Sequence, residues 1–380
     1  MSVLGMTFTP QRVRCGLRRA IHRHTEVALL GGLLPLLLLL VPPQATRFST
    51  LAASVDWETI ATLAGIILIT TGIRRSRLFA HAALALAARV RTERALAVAL
   101  TFMTAALATF LTNDIALLIM VPLTLSLQDL LDNEVLAMVI FEALAANVGS
   151  ALTPIGNPQN LYLWHRWGLS FVGFVRAMAV PVGLMALLLA VFVMMAFRSR
   201  PLGVGVNQTC PLDGRLAAAS LAALVVYVAL AEMQLAVWAF PVLLLLYAFL
   251  EPAALSESNW ALVVLFVLMF VDFHLLAAVP WVQHALQHLG GGSQRTVFWG
   301  ALVASQAVSN VPAAILLSQF SHAWRALALG VNVGGNGLFI GSLANLIALK
   351  MADDRRIWWD FHKFSLLYLA ATALVVVTLL

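Results

Sequence analysis

The chain has 380 residues, of which 62% are hydrophobic and 11% charged, against roughly 25% charged in an ordinary soluble domain. With a mean hydropathy of +0.93 it carries more apolar side chain than a water-soluble globule can hide, which excludes a soluble enzyme, a disordered chain and a secreted disulfide scaffold. The net charge of +6 comes mostly from arginines clustered between apolar runs, the layout of membrane-orientation signals rather than of a nucleic-acid interface.

In chain order, Arg12, Arg14, Arg18, Arg19 and Arg23 precede an apolar run at 27–43. That layout fits a signal peptide or a first membrane helix with its N-terminus inside. No small-x-small cleavage site follows at once, so a retained helix is expected, and residues 1–55 form a cytoplasmic N-terminus plus first span. Residues 56–197 are the first structural unit. It opens with a span at 57–73, followed by a short apolar piece at 78–88 with charged flanks, which reads as an interfacial helix. Residues 95–127 are apolar but broken at Thr112-Asn113-Asp114, and 135–164 are interrupted by a Gly/Pro/Asn-rich stretch. A full span follows at 171–197. A linker with a connecting helix pair covers 198–259. The second unit, 260–380, repeats the order: a span, an amphipathic piece at 280–292, a broken segment at 295–321, a Gly/Asn-broken helix at 322–350 and a closing span.

If 95–127 and 295–321 are re-entrant hairpins, eighteen basic residues fall on the cytoplasmic side and five outside, as the positive-inside bias requires. Cys15 and Cys210 then lie in the cytoplasm, where a structural disulfide is not expected.

The stretch NVGSALTPIGNPQN (147–160) aligns without gaps to NVGGNGLFIGSLAN (332–345), six of fourteen positions coinciding, and FLTND (110–114) pairs with AVSNV (307–311) around a shared Asn. With one hairpin entering from each side, the halves read as inverted repeats, a common plan among secondary transporters. The fold class expected is an all-α polytopic membrane protein of two such repeats, each with a re-entrant hairpin and a broken helix.

The breaks carry the chemistry. Free backbone polar groups survive at membrane depth only in a polar cavity or buried in protein. Pro154 and Pro158 each remove an amide. Gly149, Gly156, Gly334, Gly335, Gly337 and Gly341 are expected to allow unwound turns and close approach. Each break offers carbonyls to a cation at one half-helix end and amides to an anion at the other. Around them stand Asn113, Asn147, Asn157, Asn160, Asn310, Asn332, Asn336, Asn345, Ser150, Thr153, Ser309 and Ser342. Asp114 is the carboxylate at a break; its repeat mate is Val311. An intramembrane Asp is a functional candidate by default, for a proton or for a sodium shell, although it also suits the cap of the returning helix. Glu142, one turn before the first break, is a second protonation candidate or a structural group. Asp272 and His274 fall on different faces of one helix and read as structural or interfacial. Glu232 is expected in a solvated turn. Trp164, Trp167, Trp281, Trp358 and Trp359 read as interface anchors.

These motifs, LTND and VSNV at the tips and NVGSALTPIGNPQN and NVGGNGLFIGSLANLIAL at the breaks, resemble the ion transporter superfamily. It includes arsenite-efflux, citrate-metal and NhaD-type sodium/proton permeases and the dicarboxylate/sodium symporters. With FEALAANVGS and DRRIWW (354–359), the chain looks like a small inner-membrane anion permease of that group, from about Asp56 to the C-terminus. The resemblance implies a scaffold domain, a transport domain built from hairpins and broken helices, elevator-type alternating access and a homodimer. It also implies one cation site at Thr112, Asn113 and the backbone of Asn147 and Gly149, and a second at Ser309, Asn310 and the backbone of Asn332 and Gly334. Substrate would sit between the tips, against Thr112, Asn113, Asp114, Ser150, Thr153, Asn157, Ser309, Asn310, Asn336 and Ser342, with Asp114 and Glu142 as proton-coupling candidates. The dicarboxylate branch has Ser-Asn-Thr at both tips. Here they are Thr-Asn-Asp and Ser-Asn-Val, which weakens a reading with two sodium sites and dicarboxylate specificity. The Asp resembles the arsenite and NhaD-type branches.

The expected function is secondary active transport of a small anion or oxyanion, carboxylate- or arsenite-like, coupled to H+ or Na+, in the inner membrane. A Na+/H+ antiporter is the alternative. No cofactor beyond the coupling ion, no metal centre and no nucleic-acid partner is expected. No nucleophile–base or metal constellation is present, so an enzyme is not expected.

Overall fold

The computed structural model describes residues 30–41, 46–127, 135–202, 211–290 and 292–380. The five N-terminal arginines, both cysteines and the ends of the first apolar run lie outside these residues.

The described chain is helical: α1 (Leu30–Leu40), α2 (Phe48–Ser54), α3 (Trp57–Arg75), α4 (Leu78–Ala87), α5 (Glu93–Phe110), α6 (Asn113–Ser126), α7 (Val135–Ser150), α8 (Pro158–Arg166), α9 (Phe171–Ala196), α10 (Gly214–Glu232), α11 (Ala236–Leu250), α12 (Pro252–Glu257), α13 (Trp260–Ala278), α14 (Pro280–Gly290), α15 (Gln294–Val308), α16 (Asn310–Leu317), α17 (Trp324–Gly334), α18 (Leu343–Ala352) and α19 (Arg356–Val376). A 3-10 turn, Phe339–Gly341, lies between α17 and α18. Among the described residues the extended pairing is one isolated bridge, Thr92 with Pro201, which ties the stretch after α9 to the entry of α5.

Local sequence explains most starts. Asp56, Thr92, Asn157, Ser170, Asp213 and Ser293 each cap a helix by accepting from the backbone N–H three residues on. Pro158 and Pro252 occupy first-turn positions, where a missing N–H costs nothing.

Among the described residues five helices are long and apolar enough to cross a membrane: α5, α9, α10, α13 and α19 with the turn after it. The α2–α3 pair adds a sixth if counted as one span bent by 53°. α5 reaches spanning length alone, which is more than a re-entrant arm needs.

Two packed bodies of helices position the site. In one, α3 packs against α10, α11 and α12. Gly65 and Gly72 of α3 make room for two rings: a Cβ at Gly65 would fall on Tyr227, and one at Gly72 would press on Tyr247. Tyr227 Oη then donates to the carbonyl of Ala61 at 2.7 Å and Tyr247 Oη to Ser220 Oγ at 2.8 Å. In the other, α5 packs along α7, and α15 along α17. The second half of each broken helix crosses over: α18 packs on α6 and α7, while α8 packs on α16 and α17. α7 is buried on nearly all sides, so it is a core helix and not a lipid-facing one.

Candidate functional site

α7 stops at Ser150 and helix resumes at Pro158. α17 stops at Gly334 and helix resumes at Leu343. Both intervals are non-helical apart from the 3-10 turn, and both are largely buried. Neither stretch is continuous helix facing lipid.

The polar side chains at the two breaks bond to one another in matching pairs. In the alignment Asn147 corresponds to Asn332, Ser150 to Gly335, Thr153 to Leu338, Asn157 to Ser342 and Asn160 to Asn345. Asn332 Nδ2 donates to Asn160 Oδ1 at 2.7 Å, and its mate Asn147 Nδ2 donates to Asn345 Oδ1 at 2.8 Å. Asn157 Nδ2 donates to Asn332 Oδ1 at 2.9 Å; the mate contact has Ser342 Oγ donating to Asn147 Oδ1 at 2.9 Å. Asn160 Nδ2 donates to the carbonyls of Ser150 and Thr153, and Asn345 Nδ2 to those of Gly335 and Leu338. Each break is therefore closed by the other.

The first tip bonds to its own break, and the second stands beside its own. Asn113 N donates to the carbonyl of Gly156 at 2.9 Å, and Asn113 Oδ1 accepts from Asp114 N at 3.0 Å. Asn310 Nδ2 lies 3.1 Å from where a Cβ on Gly335 would stand. One turn before each tip stands a polar residue absent from the sequence-derived set. Thr109 Oγ1 donates to the carbonyl of Gly149 at 3.0 Å, and Gln306 Nε2 donates to that of Gly334 at 2.7 Å. Thr153 Oγ1 donates to the carbonyl of Thr109, and in the mate position Leu338 N donates to Gln306 Oε1. Each stands four residues before its Asn, but nothing in the sequence says which carbonyl it reaches.

The tips differ in backbone. Thr112 is extended, with φ −75°. Ser309 has φ 75° and ψ 159°, a region almost confined to glycine, where a side chain costs on the order of 1–3 kcal/mol.

The break glycines, expected to allow unwound turns and close approach, lie in or beside the non-helical stretches. None of the six has a positive φ; among the described residues Gly168 is the glycine that does. Their contribution is space. A Cβ on Gly149 would collide with the Ala105 carbonyl of α5, and one on Gly334 would stand 2.7 Å from Ser305 Cβ of α15. The closeness of α5 to α7 and of α15 to α17 depends on these absent atoms.

Two oxygens in the network, Asn336 Oδ1 and Gln159 Oε1, are buried without a hydrogen-bond partner among the described residues. A buried acceptor left unmatched costs about 1–3 kcal/mol. Within the network they are the two side-chain oxygens that no donor among the described residues fills. Gln159 also donates weakly to Asn332 Oδ1, at 3.4 Å.

The carboxylates divide. Asp114 is buried in the first turn of α6, where the helix dipole favours a negative charge. Glu142 is fully buried on α7; Thr124 of α6 donates to its Oε1, and Oε2 has no partner among the described residues. Asp272 is also fully buried, with both oxygens unpartnered among the described residues, while His274 is half-buried on another face. Glu232 is exposed and accepts from Phe171 N. Trp164 is a correction: it is a core side chain, edge-on to Phe171 with centroids 6.1 Å apart, and not an interface anchor. Trp281 and Trp359 are exposed.

A helical membrane protein whose buried helices break toward one another, with neutral amides and hydroxyls lining the break, is built as a transporter. The family model described as citrate transporter matches residues 19–323. The chain belongs to the citrate transporter family and is a membrane transport protein, not an enzyme. It is 42% identical over 324 residues to inner membrane protein YbiR of Escherichia coli (strain K12), covering 85% of this chain and 87% of that one. It is 28% identical over 302 residues to an uncharacterized transporter of Methanocaldococcus jannaschii, covering 79% and 82%.

Proposed function

We propose that this chain is a secondary active transporter that carries a small anion or oxyanion, carboxylate- or arsenite-like, across the inner membrane, coupled to H+ or Na+. The observation that carries the reading is the reciprocal bonding of the two breaks, in which four side-chain hydrogen bonds between the halves form two mated pairs. Such mating is what two inverted copies of one unit produce when they share a pocket. The N-termini of α6, α8, α16 and α18 all start at the tips or breaks, which suits an anion. Neutral amide oxygens suit a coupling cation held weakly enough to leave.

In this reading the tip-and-break helices, α5 to α8 and α15 to α18, move as one elevator-like body past α3 and its partners. The N-terminus is cytoplasmic and the assembly is a homodimer. The YbiR relative's printed name supports the inner membrane as the location.

A second reading, Na+/H+ antiport at Asp114, is favoured by the asymmetry of the tips, where the first tip has a buried carboxylate and the second has Val311 at the matching position. Currents from proteoliposomes on a solid-supported membrane separate the two. Anion jumps with citrate, succinate, arsenite or phosphate should give currents that depend on a sodium or pH gradient. A sodium- or pH-jump current of full size without any anion would establish the antiporter instead.

A further inference from the structure

A cleft of about 190 Å³ opens where the end of α3, the start of α4 and the middle of α6 meet. Ile73, Phe79, Leu118 and Ile119 form its apolar walls, and Arg74 and Arg77 bring positive charge to it. That charge is not cancelled locally. Glu257 accepts from both Arg74 and Arg75, and Glu251 accepts from Arg75 at 3.0 Å. Arg74 and Arg75 share these two carboxylates, and Arg77 has no salt-bridge partner among the described residues. Arg77 is exposed, and its backbone is left-handed with φ 58°, so the side chain stands at the corner where α3 turns into α4.

The two halves of this lining select the ligand. A free inorganic anion gains nothing from apolar walls, and a hydrocarbon gains nothing from arginines. A phospholipid with a negative headgroup uses both. The corner lies in the arginine-rich stretch that the positive-inside bias puts at the cytoplasmic leaflet, and α4 has the length and flanks of an interfacial helix, so the depth also fits a headgroup.

We infer that this cleft binds an anionic phospholipid, its phosphate on Arg74 and Arg77 and its acyl chain against Ile73, Phe79, Leu118 and Ile119. The lipid bridges α3 and α6, the helix that carries the first tip.

The test titrates purified full-length protein in detergent with short-chain phosphatidylglycerol, short-chain phosphatidylcholine and inorganic phosphate, read by calorimetry and native mass spectrometry. Phosphatidylglycerol is expected to bind saturably, with the other two at least about fivefold weaker, the contribution of one arginine near a membrane surface. Arg77→Asn, which tolerates a left-handed backbone, should weaken phosphatidylglycerol binding about fivefold. Ala80→Trp fills the cleft while keeping its charges and should abolish that binding. Phosphatidylcholine binding as tightly as phosphatidylglycerol overturns the proposal, as does inorganic phosphate matching the lipid or unchanged affinity in both variants. The wild-type arms decide the matter even where a variant fails to fold.

Discussion

Asn332 accepts from Asn157 and Gln159 and donates to Asn160 and to the carbonyl of Ala328, so one side chain serves four partners. Asn332→Ala should cost about 1–3 kcal/mol for each buried group it strands, seen as a large drop in melting temperature together with loss of transport. Gln159→Leu removes an oxygen that has no partner among the described residues, so stability should hold or rise while affinity for substrate or coupling ion falls. A stable variant with wild-type affinity would take Gln159 out of the site. The carboxylates separate by assay. Asp114→Asn should abolish gradient-driven uptake and leave counterflow exchange largely intact. Glu142→Gln keeps an acceptor for Thr124 and tests whether the buried carboxyl of α7 titrates during the cycle. If Glu142→Gln removes coupling and Asp114→Asn does not, the proton rides on α7 and not at the tip.

At the scale of elements, the tightest constraint is the approach of α5 to α7. Gly149→Ala should separate these helices and destabilise the fold by about 1–3 kcal/mol, the usual cost of overpacking. Gly183→Ala on α9, which meets nothing within 4 Å, should be neutral or stabilising by up to about 1 kcal/mol. Paired unfolding measurements check both. Ser309→Gly should relieve the strain at the second tip and raise stability by about 1 kcal/mol or more; unchanged stability would mean the tip relaxes at no cost. The breaks themselves were legible in the sequence, because Pro154, Pro158 and the repeated Asn-Val-Gly and Ile-Gly pairs stand where an apolar run exceeds one span. Thr109 and Gln306 were not, since a lone polar residue inside a helix gives no sign of the carbonyl it reaches. Close approach at the glycines was legible from their place at the breaks; the neighbours they admit, Ala105 beside Gly149 and Ser305 beside Gly334, were not. Trp164 was misplaced because hydropathy cannot tell a lipid-facing span end from one covered by another helix.

At the scale of the molecule, the proposed moving body meets the α3 body at a short polar contact. His165 at the end of α8 bonds through Nε2 to Thr62 Oγ1 of α3 at 3.1 Å, and its Nδ1 accepts from Gln234 Nε2 beside α11 at 3.0 Å. The contact is a place where relative motion must break bonds. The direct measurement is transport by a Thr62→Cys/His165→Cys variant, with Cys15 and Cys210 replaced by serine, before and after bridging by a short thiol crosslinker. The bridged protein should still bind its anion but carry none across, and cleaving the bridge should restore uptake. Full-rate uptake through a bridged protein would contradict elevator-like movement of α8 past α3.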